Sequence, residues 1–181
     1  KALRLNGREG PGTGGAWARD PRQSGGALVK LQIHDLDYAA WILGRPETVF
    51  TQSLRSPENA CDHPLTILAF TGGALASLEA SYLMPQGFCF RAEFSIVGEA
   101  GMLEYGNQWD RPLRLFLAGG KEYSWPEVST ESAYLVQMRH FLRCIREQRE
   151  SDVITAWEAR EALRYSLASL ASAESGTPQE L

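Results

Sequence analysis

ALASLEASYL, residues 74 to 83, alternates without a break. Leu75, Ser77, Glu79, Ser81 and Leu83 face one way; Ala76, Leu78, Ala80 and Tyr82 face the other. A period of two marks a strand, and one apolar side with one polar side marks an antiparallel sheet covered on a single face. Immediately before it, TGGA (residues 71 to 74) has the composition of a tight hairpin connection and joins it to PLTILAFTG. Working outward, ETVFTQSLR, FCFRAEFSIVG, GMLEYG, LRLFLAG and KEYSWP are further short segments rich in β-branched or aromatic residues. GEAG and AGGK are expected turns of the same kind. KALRLNGRE, at the start, alternates as well and reads as a strand.

Helical spacing flanks this run on both sides. Residues 25 to 43 read as one helix, closed by Gly44, with Pro46 preventing continuation. After the strands, STESAYLVQMRHFLRCIREQRE has a Ser or Thr N-cap candidate, Glu131 in its expected first turn, and an apolar stripe of Tyr134, Leu135, Met138, Phe141, Leu142 and Ile145. TAWEAREALRYSLASLASAESG repeats the pattern with Trp157, Ala159, Leu163, Leu167 and Leu170, and ends at Gly176 before Pro178. Strand, helix, six or seven strands, then two helices predict an α+β fold: an open, mostly antiparallel β-sheet with helices packed on one face. The other face carries enough apolar residues to suit a partner surface.

The chain has 181 residues, 44% of them hydrophobic and 22% charged, which fits one globular domain or somewhat more. A net charge of −4 and the lack of a Lys/Arg run argue against a nucleic-acid partner. No stretch is apolar for the roughly 18 residues a membrane span needs. The three cysteines, Cys61, Cys89 and Cys144, form no CxxC pair, so neither a disulfide framework nor a zinc site is expected, and no metal is assigned. A reducing cytoplasm is the expected compartment. The first residues lack the apolar segment of a signal peptide, and the start at Lys1 suggests that something upstream is missing.

The helix at residues 24 to 47, SGGALVKLQIHDLDYAAWILGRPE, carries the candidate chemistry. Lys30, His34, Asp37 and Trp41 recur at spacings of four, three and four, within one narrow arc at about 100° per residue. Lys30 and His34, at i and i+4, are neighbours on the helix surface, and a histidine exchanges protons near neutral pH. A solvated face with a chance histidine fits the same periodicity. Gln32 and Asp35 fall on the other side and are expected to bond to backbone or neighbouring elements. Trp17 and Arg19, just before the helix, suit a pocket rim or, equally, an anchoring tryptophan beside a solvated arginine. His140 sits beside its helix's apolar stripe and reads as structural.

GPGTGG, residues 10 to 15, matches G-x-G-x-x-G. That pattern holds a dinucleotide only between a strand and a helix that starts at the third glycine. Here AWARDPRQ follows, aperiodic and broken by Pro21, so the segment reads as a plain loop.

The helix resembles the signature helix of the Gfo/Idh/MocA family of NAD(P)-dependent oxidoreductases, roughly S-G-G-x-L-x-D-x-x-I-H-D-x-D followed by an aromatic and L-x-G. GGAWARDPRQ is similar to that family's W-x-x-D-P segment, AEFSIVGEAGMLEY to its strand-turn-strand, and the two closing helices to its own. The resemblance covers nearly the whole chain. It implies a C-terminal substrate-binding and oligomerisation domain over residues 1–181, with an N-terminal Rossmann domain, not present here, that holds NAD or NADP and supplies a lysine in an E-K-P motif. It implies a small-molecule substrate, a sugar, polyol or related hydroxy or keto compound, and a homo-oligomer formed through the open sheet face.

The family histidine maps to His34, with proton transfer to or from the substrate oxygen as its implied role. The family aspartate four residues earlier maps to Lys30, a departure. A protonated lysine accepts no hydrogen bond and disfavours a charged imidazole beside it. Three roles fit Lys30: a second catalytic group that donates the proton, a binder of an anionic substrate, or a mark of lost chemistry in a non-catalytic ligand-binding or dimerisation module. Trp17, Arg19 and Asp37 are the implied substrate contacts.

Overall fold

The structure is a computed structural model and describes residues 1–8, 17, 20–120 and 123–181. Among the described residues, strand β1 (Ala2–Arg8) is followed by helices α1 (Pro21–Ser24), α2 (Gly26–Lys30) and α3 (Gln32–Leu43). Next come β2 (Pro46–Arg55), β3 (Cys61–Phe70), β4 (Leu75–Ser81), β5 (Arg91–Gly98), β6 (Gly101–Gly106), β7 (Leu113–Leu117) and β8 (Tyr123–Ser124). Helices α4 (Ala133–Glu147) and α5 (Ala156–Ser175) follow, and β9 (Gln179–Glu180) closes the chain.

The nine strands form one sheet in the order β8-β7-β6-β5-β1-β4-β3-β2-β9. Every pairing is antiparallel except β1 with β4, because β1 enters from a distant part of the chain and slots between two hairpin systems. The α+β expectation stands. The TGGA turn is present: Phe70 N–H donates to Ala74 O at 3.0 Å, and Gly73 N–H donates to Phe70 O at 3.1 Å. GEAG closes the β5–β6 hairpin, where Gly98 faces Gly101. AGGK lies partly outside the described residues, as does GPGTGG entirely.

The alternation of β4 sorts its side chains as expected. Ala76, Leu78 and Ala80 join Leu3, Leu5, Leu68 and Phe70 under the helices, with Leu36, Ala39 and Tyr165 covering them. On the opposite face Leu65, Ile67 and Leu75 are each about half exposed. Helix α2 lies on β3, α3 on β1 and β4, and α5 on β2 and against α3. Beyond β1, strands β5 to β8 extend the sheet. At that boundary Tyr38 of α3 meets Phe94 of β5, ring centroids 5.5 Å apart, and Phe94 stacks on Tyr105 at 5.2 Å.

Four expectations need correction. The single helix over 25 to 43 is broken at Leu31, which separates α2 from α3. Pro21 starts a one-turn helix instead of ending structure, since proline's fixed φ suits the first helical position. Glu131 lies before α4, whose N-cap is Ser132 without a side-chain bond. The inward face of α5 is not the Trp157–Leu163–Leu167 stripe, which is exposed. It is Glu161, Ala162, Tyr165, Ser166, Ser169 and Ser172.

Small hydroxyl residues let α5 approach closely while satisfying their own bonds. Ser166 Oγ donates to Leu28 O, and Ser169 Oγ to Tyr165 O. Ser172 Oγ accepts from Thr51 N–H at 3.0 Å and donates to Thr177 O at 2.7 Å. Helix α4 does show its expected apolar stripe, but the stripe faces outward. Cys144 is its one buried residue, and Tyr134, Met138, Phe141 and Ile145 are all more than half exposed.

Candidate functional site

Two glycines set the direction of the signature helix. Gly25 and Gly26 both adopt left-handed backbone, φ 72° and 71°. Gly25 is at once the C-cap of α1 and the N-cap of α2. A Cβ on Gly25 would lie 2.5 Å from Val29 Cβ, and one on Gly26 would press on Asp62, Ala60 and Cys61. Only glycine turns the chain this tightly. The Asp62 carboxylate then accepts from Ala27 N–H at 2.9 Å and ties the start of α2 to β3.

Asp20 occupies the N-terminus of α1. Its carboxylate accepts from Arg22 N–H at 3.0 Å and from Gln23 Nε2 at 2.7 Å, bonds that hold the acid below the usual carboxylate range. A pyrophosphate would meet a fixed negative charge there and a helix of only four residues. The described residues therefore do not form a dinucleotide cradle, and no chemical step is assigned to a cofactor bound by them.

Helices α3, α4 and α5 enclose an open groove of about 1280 Å³. His34, Asp37, Tyr38 and Trp41 of α3 form one wall; His140 and Gln137 of α4 and Trp157 and Glu158 of α5 form others. His34 is exposed and, among the described residues, has no hydrogen-bond partner, so its ring can exchange a proton with a ligand in the groove. Asp37, one turn along, has its carboxyl raised, first by burial and then by the like charge of Glu158, while His34 pulls it back down. Glu158 is held by the Thr155 capping box at the start of α5. His140 is anchored as expected of a structural residue: Nε2 lies 2.9 Å from Ser151 Oγ, whose oxygen also accepts from Val153 and Ile154 N–H.

The expected arc of four residues is thus divided. His34, Asp37 and Trp41 share the groove, while Lys30 turns aside. Its ammonium lies 5.0 Å from the centroid of the Trp17 ring and 5.5 Å from that of Tyr82. Tyr82 follows β4 on the helix side, continuing the alternation of Ala76, Leu78 and Ala80, so strand periodicity carried the signal that it meets the helix. Glu158 was not anticipated either; the spacing T-x-x-E at 155–158 was its signature. Arg19 lies outside the described residues.

Gln32 and Asp35 sit on the buried side of α3. Gln32 bonds as expected, Nε2 donating to Pro64 O at 3.3 Å and Oε1 accepting from Thr66 Oγ1 at 2.7 Å. Asp35 differs: its Oδ2 is buried without a hydrogen-bond partner among the described residues. Burial alone pushes its carboxyl up to about 7.

The chain is 28% identical over 170 residues to a scyllo-inositol 2-dehydrogenase (NAD(+)) of Bacillus subtilis, covering 88% of this chain and 49% of that protein. It is 24% identical over 161 residues to an inositol 2-dehydrogenase of Rubrobacter xylanophilus, covering 85% and 46%. It therefore spans about half the length of the curated relatives it matches. The fold superposes on levoglucosan dehydrogenase, solved with NADH and levoglucosan, with a TM-score of 0.83 at 17% identity, covering 99% of this chain and 58% of that one. Residues 3–104 match the GFO/IDH/MocA C-terminal domain, and the chain belongs to that family.

Proposed function

We propose that residues 1–181 are the substrate-binding and oligomerisation domain of an NAD(P)-dependent oxidoreductase acting on a sugar, polyol or related hydroxy or keto compound by hydride transfer. The observation that carries this reading is His34: a histidine on the family's signature helix, exposed on a groove beside Asp37. The inositol dehydrogenases and levoglucosan dehydrogenase support a polyol or sugar substrate, and the names and contents of two of them support NAD. The dinucleotide is assigned to a further, N-terminal Rossmann domain of the full-length protein, as the family resemblance implies. When bound, the nicotinamide supplies the hydride chemistry. This chain's residues bind the substrate and move its proton.

In this scheme His34 exchanges the proton of the reacting hydroxyl or carbonyl oxygen. Asp37 orients the substrate and favours the imidazolium. Lys30 is the second candidate catalytic group, with Trp17 and Arg19 at the substrate's edge. The half-exposed Leu65, Ile67 and Leu75 on the open sheet face support a homo-oligomer formed there. Among the described residues no helix is long and apolar enough to cross a membrane. A cytoplasmic location remains part of this reading, on the three free cysteines.

The test is steady-state turnover of the full-length protein on a panel of polyols and sugars with NAD and NADP. His34→Ala is expected to lower kcat by about 100-fold or more, the loss typical of a general acid–base group. Unchanged turnover would remove His34 from the mechanism. The second reading, a non-catalytic ligand-binding or dimerisation module, is favoured by one observation: Lys30 stands where the family has an aspartate and points away from the groove. Lys30→Asp separates the two. Activity gained by that substitution means the native chain has lost its chemistry; activity abolished means that Lys30 works in it.

A further inference from the structure

Two tryptophans stand exposed in the groove that holds His34. Trp41 of α3 is 69% exposed and Trp157 of α5 is 62% exposed, and both line it. An indole is among the largest apolar surfaces a side chain can bury, so two left open to water in one cleft mark a surface built for contact. Each is held in position. Trp41 packs against Tyr38, ring centroids 5.7 Å apart, and Tyr38 packs in turn on Phe94 of β5 at 5.5 Å. Trp157 lies in the first turn of α5, behind the Thr155 capping box, with the Arg160 guanidinium 4.8 Å from its ring centroid. A ring already fixed in place loses little entropy when a ligand stacks on it.

Helix α3 runs unbroken from Gln32 to Leu43. Trp41 therefore stands two turns after His34, on the same face and about 10 Å along the axis. That is the reach of two linked six-membered sugar rings. The groove, about 1280 Å³, exceeds the roughly 300–1,000 Å³ of an ordinary small-molecule pocket, and a single polyol ring would leave most of it to water. We propose that the groove takes a glycoside of two or more sugar rings: one ring is placed at His34 and Asp37, and the next lies with its C–H face on Trp41, with Trp157 on the groove's other wall. A pyranose suits an indole because its axial hydrogens make a flat apolar face while its hydroxyls point outward from the rim. Those hydroxyls meet side chains of both signs, Arg45 and Arg143 as well as Asp37 and Glu158. Such a mixture of donors and acceptors matches a neutral, hydroxyl-rich ligand better than a strongly charged one. The inference rests on the reading of His34 as the proton-exchanging residue, and it narrows the substrate from sugars and polyols in general to glycosidically linked ones.

The experiment is calorimetric titration of the full-length protein with maltose, cellobiose and lactose, each against the glucose or galactose from which it is built. Wild type should bind at least one disaccharide about tenfold or more tightly than either of its component sugars, as one stacked aromatic contact supplies. Trp41→Ala should bring that ratio to within about twofold of unity, and Trp157→Ala should lower it as well. Trp41→Phe should keep part of it, with melting temperatures confirming that the variants fold. The proposal is overturned if no disaccharide outbinds its component sugars, or if either alanine variant retains the full preference. Binding is read without turnover. A Trp41-dependent preference in a protein that oxidises none of these sugars with NAD or NADP would overturn the oxidoreductase reading and leave the glycoside groove standing. Turnover of the single sugars without any preference would do the reverse.

Discussion

The Asp35 carboxyl rests on the backbone of Gly7: a Cβ at Gly7 would lie 3.5 Å from Asp35 Oδ2. Helix α3 crosses β1 at this point, and even a Cβ on Gly7 would meet the acid only in ordinary van der Waals contact. Oδ2 has no hydrogen-bond partner among the described residues, so the charged form loses water and gains nothing. The proton is therefore held to about pH 7, against 3.8 for the free group.

The sign of the pH dependence follows. Between pH 4 and 7 the unfolded chain has released this proton while the folded chain still binds it. Stability contributed by the neutral acid thus declines as pH rises through that window and levels off above it. The span corresponds to roughly 4 kcal/mol at most. Asp35→Asn, neutral at every pH, should remove this slope. Melting temperatures of wild type and variant from pH 4.5 to 8 should show their difference growing in the variant's favour toward pH 7 and then holding constant. A difference that is flat with pH would mean that Asp35 is already ionised in the folded protein.

Gln32 is the polar counterpart that is satisfied. Its amide bridges Pro64 O and Thr66 Oγ1, and Thr66 lies 2.9 Å from Thr51 Oγ1, all with at most 1% exposure. Gln32→Leu keeps the volume but leaves the Pro64 carbonyl buried and unpaired. The expected cost is about 2 kcal/mol, seen as a fall of several degrees in Tm. Thr66→Val should cost a similar amount, and the double variant less than the sum, because both remove one network.

How far the sequence spoke for itself depended on which force placed each residue. Strands were legible because Leu78 and Glu79 obey a period of two and because TGGA and GEAG have few alternatives to a turn. His34 and Asp37 were placed together because helix geometry fixes i and i+3. Where the core is built from small polar residues the pattern inverts: Ser166, Ser169 and Ser172 are buried, while Leu163 and Leu167 are not. Hydrophobicity along α5 thus pointed to its outer face. Lys30 left the expected arc because the helix breaks at Leu31, between it and His34, and its ring partners come from residues 17 and 82. The two-residue strand β9 had no signal, since it exists only by pairing with β2.

Gly101 tests the β5–β6 hairpin. Its φ is +145°, and a Cβ there would lie 2.0 Å from the carbonyl oxygen of Phe116 on β7. Backbone does not yield as a side-chain end does, so Gly101→Ala should force β6 and β7 apart and cost on the order of 3 kcal/mol. Gly98, at the other end of the same turn, has nothing within 4 Å of its would-be Cβ. Gly98→Ala should stay within about 0.5 kcal/mol of wild type. Chemical denaturation of the pair reads out the contrast, and equal effects would refute the close approach of the two strands.

Phe141 lies in the middle of the outward stripe of α4 and is 56% exposed. Its neighbours Tyr134, Met138 and Ile145 share that face, and exposed apolar rows of this length usually meet a partner. In a chain ending where this one does, Phe141→Ala removes few contacts and should change stability by no more than about 0.5 kcal/mol. In the full-length protein, if a further domain covers α4, the same substitution should cost about 3 kcal/mol, as a buried phenylalanine does. Two pairs of melting curves decide the matter: wild type and Phe141→Ala, each as residues 1–181 and as the full-length chain. A large penalty in both would mean that α4 already packs within this domain. A small one in both would mean that the stripe meets a second molecule or nothing, and that no further domain covers α4.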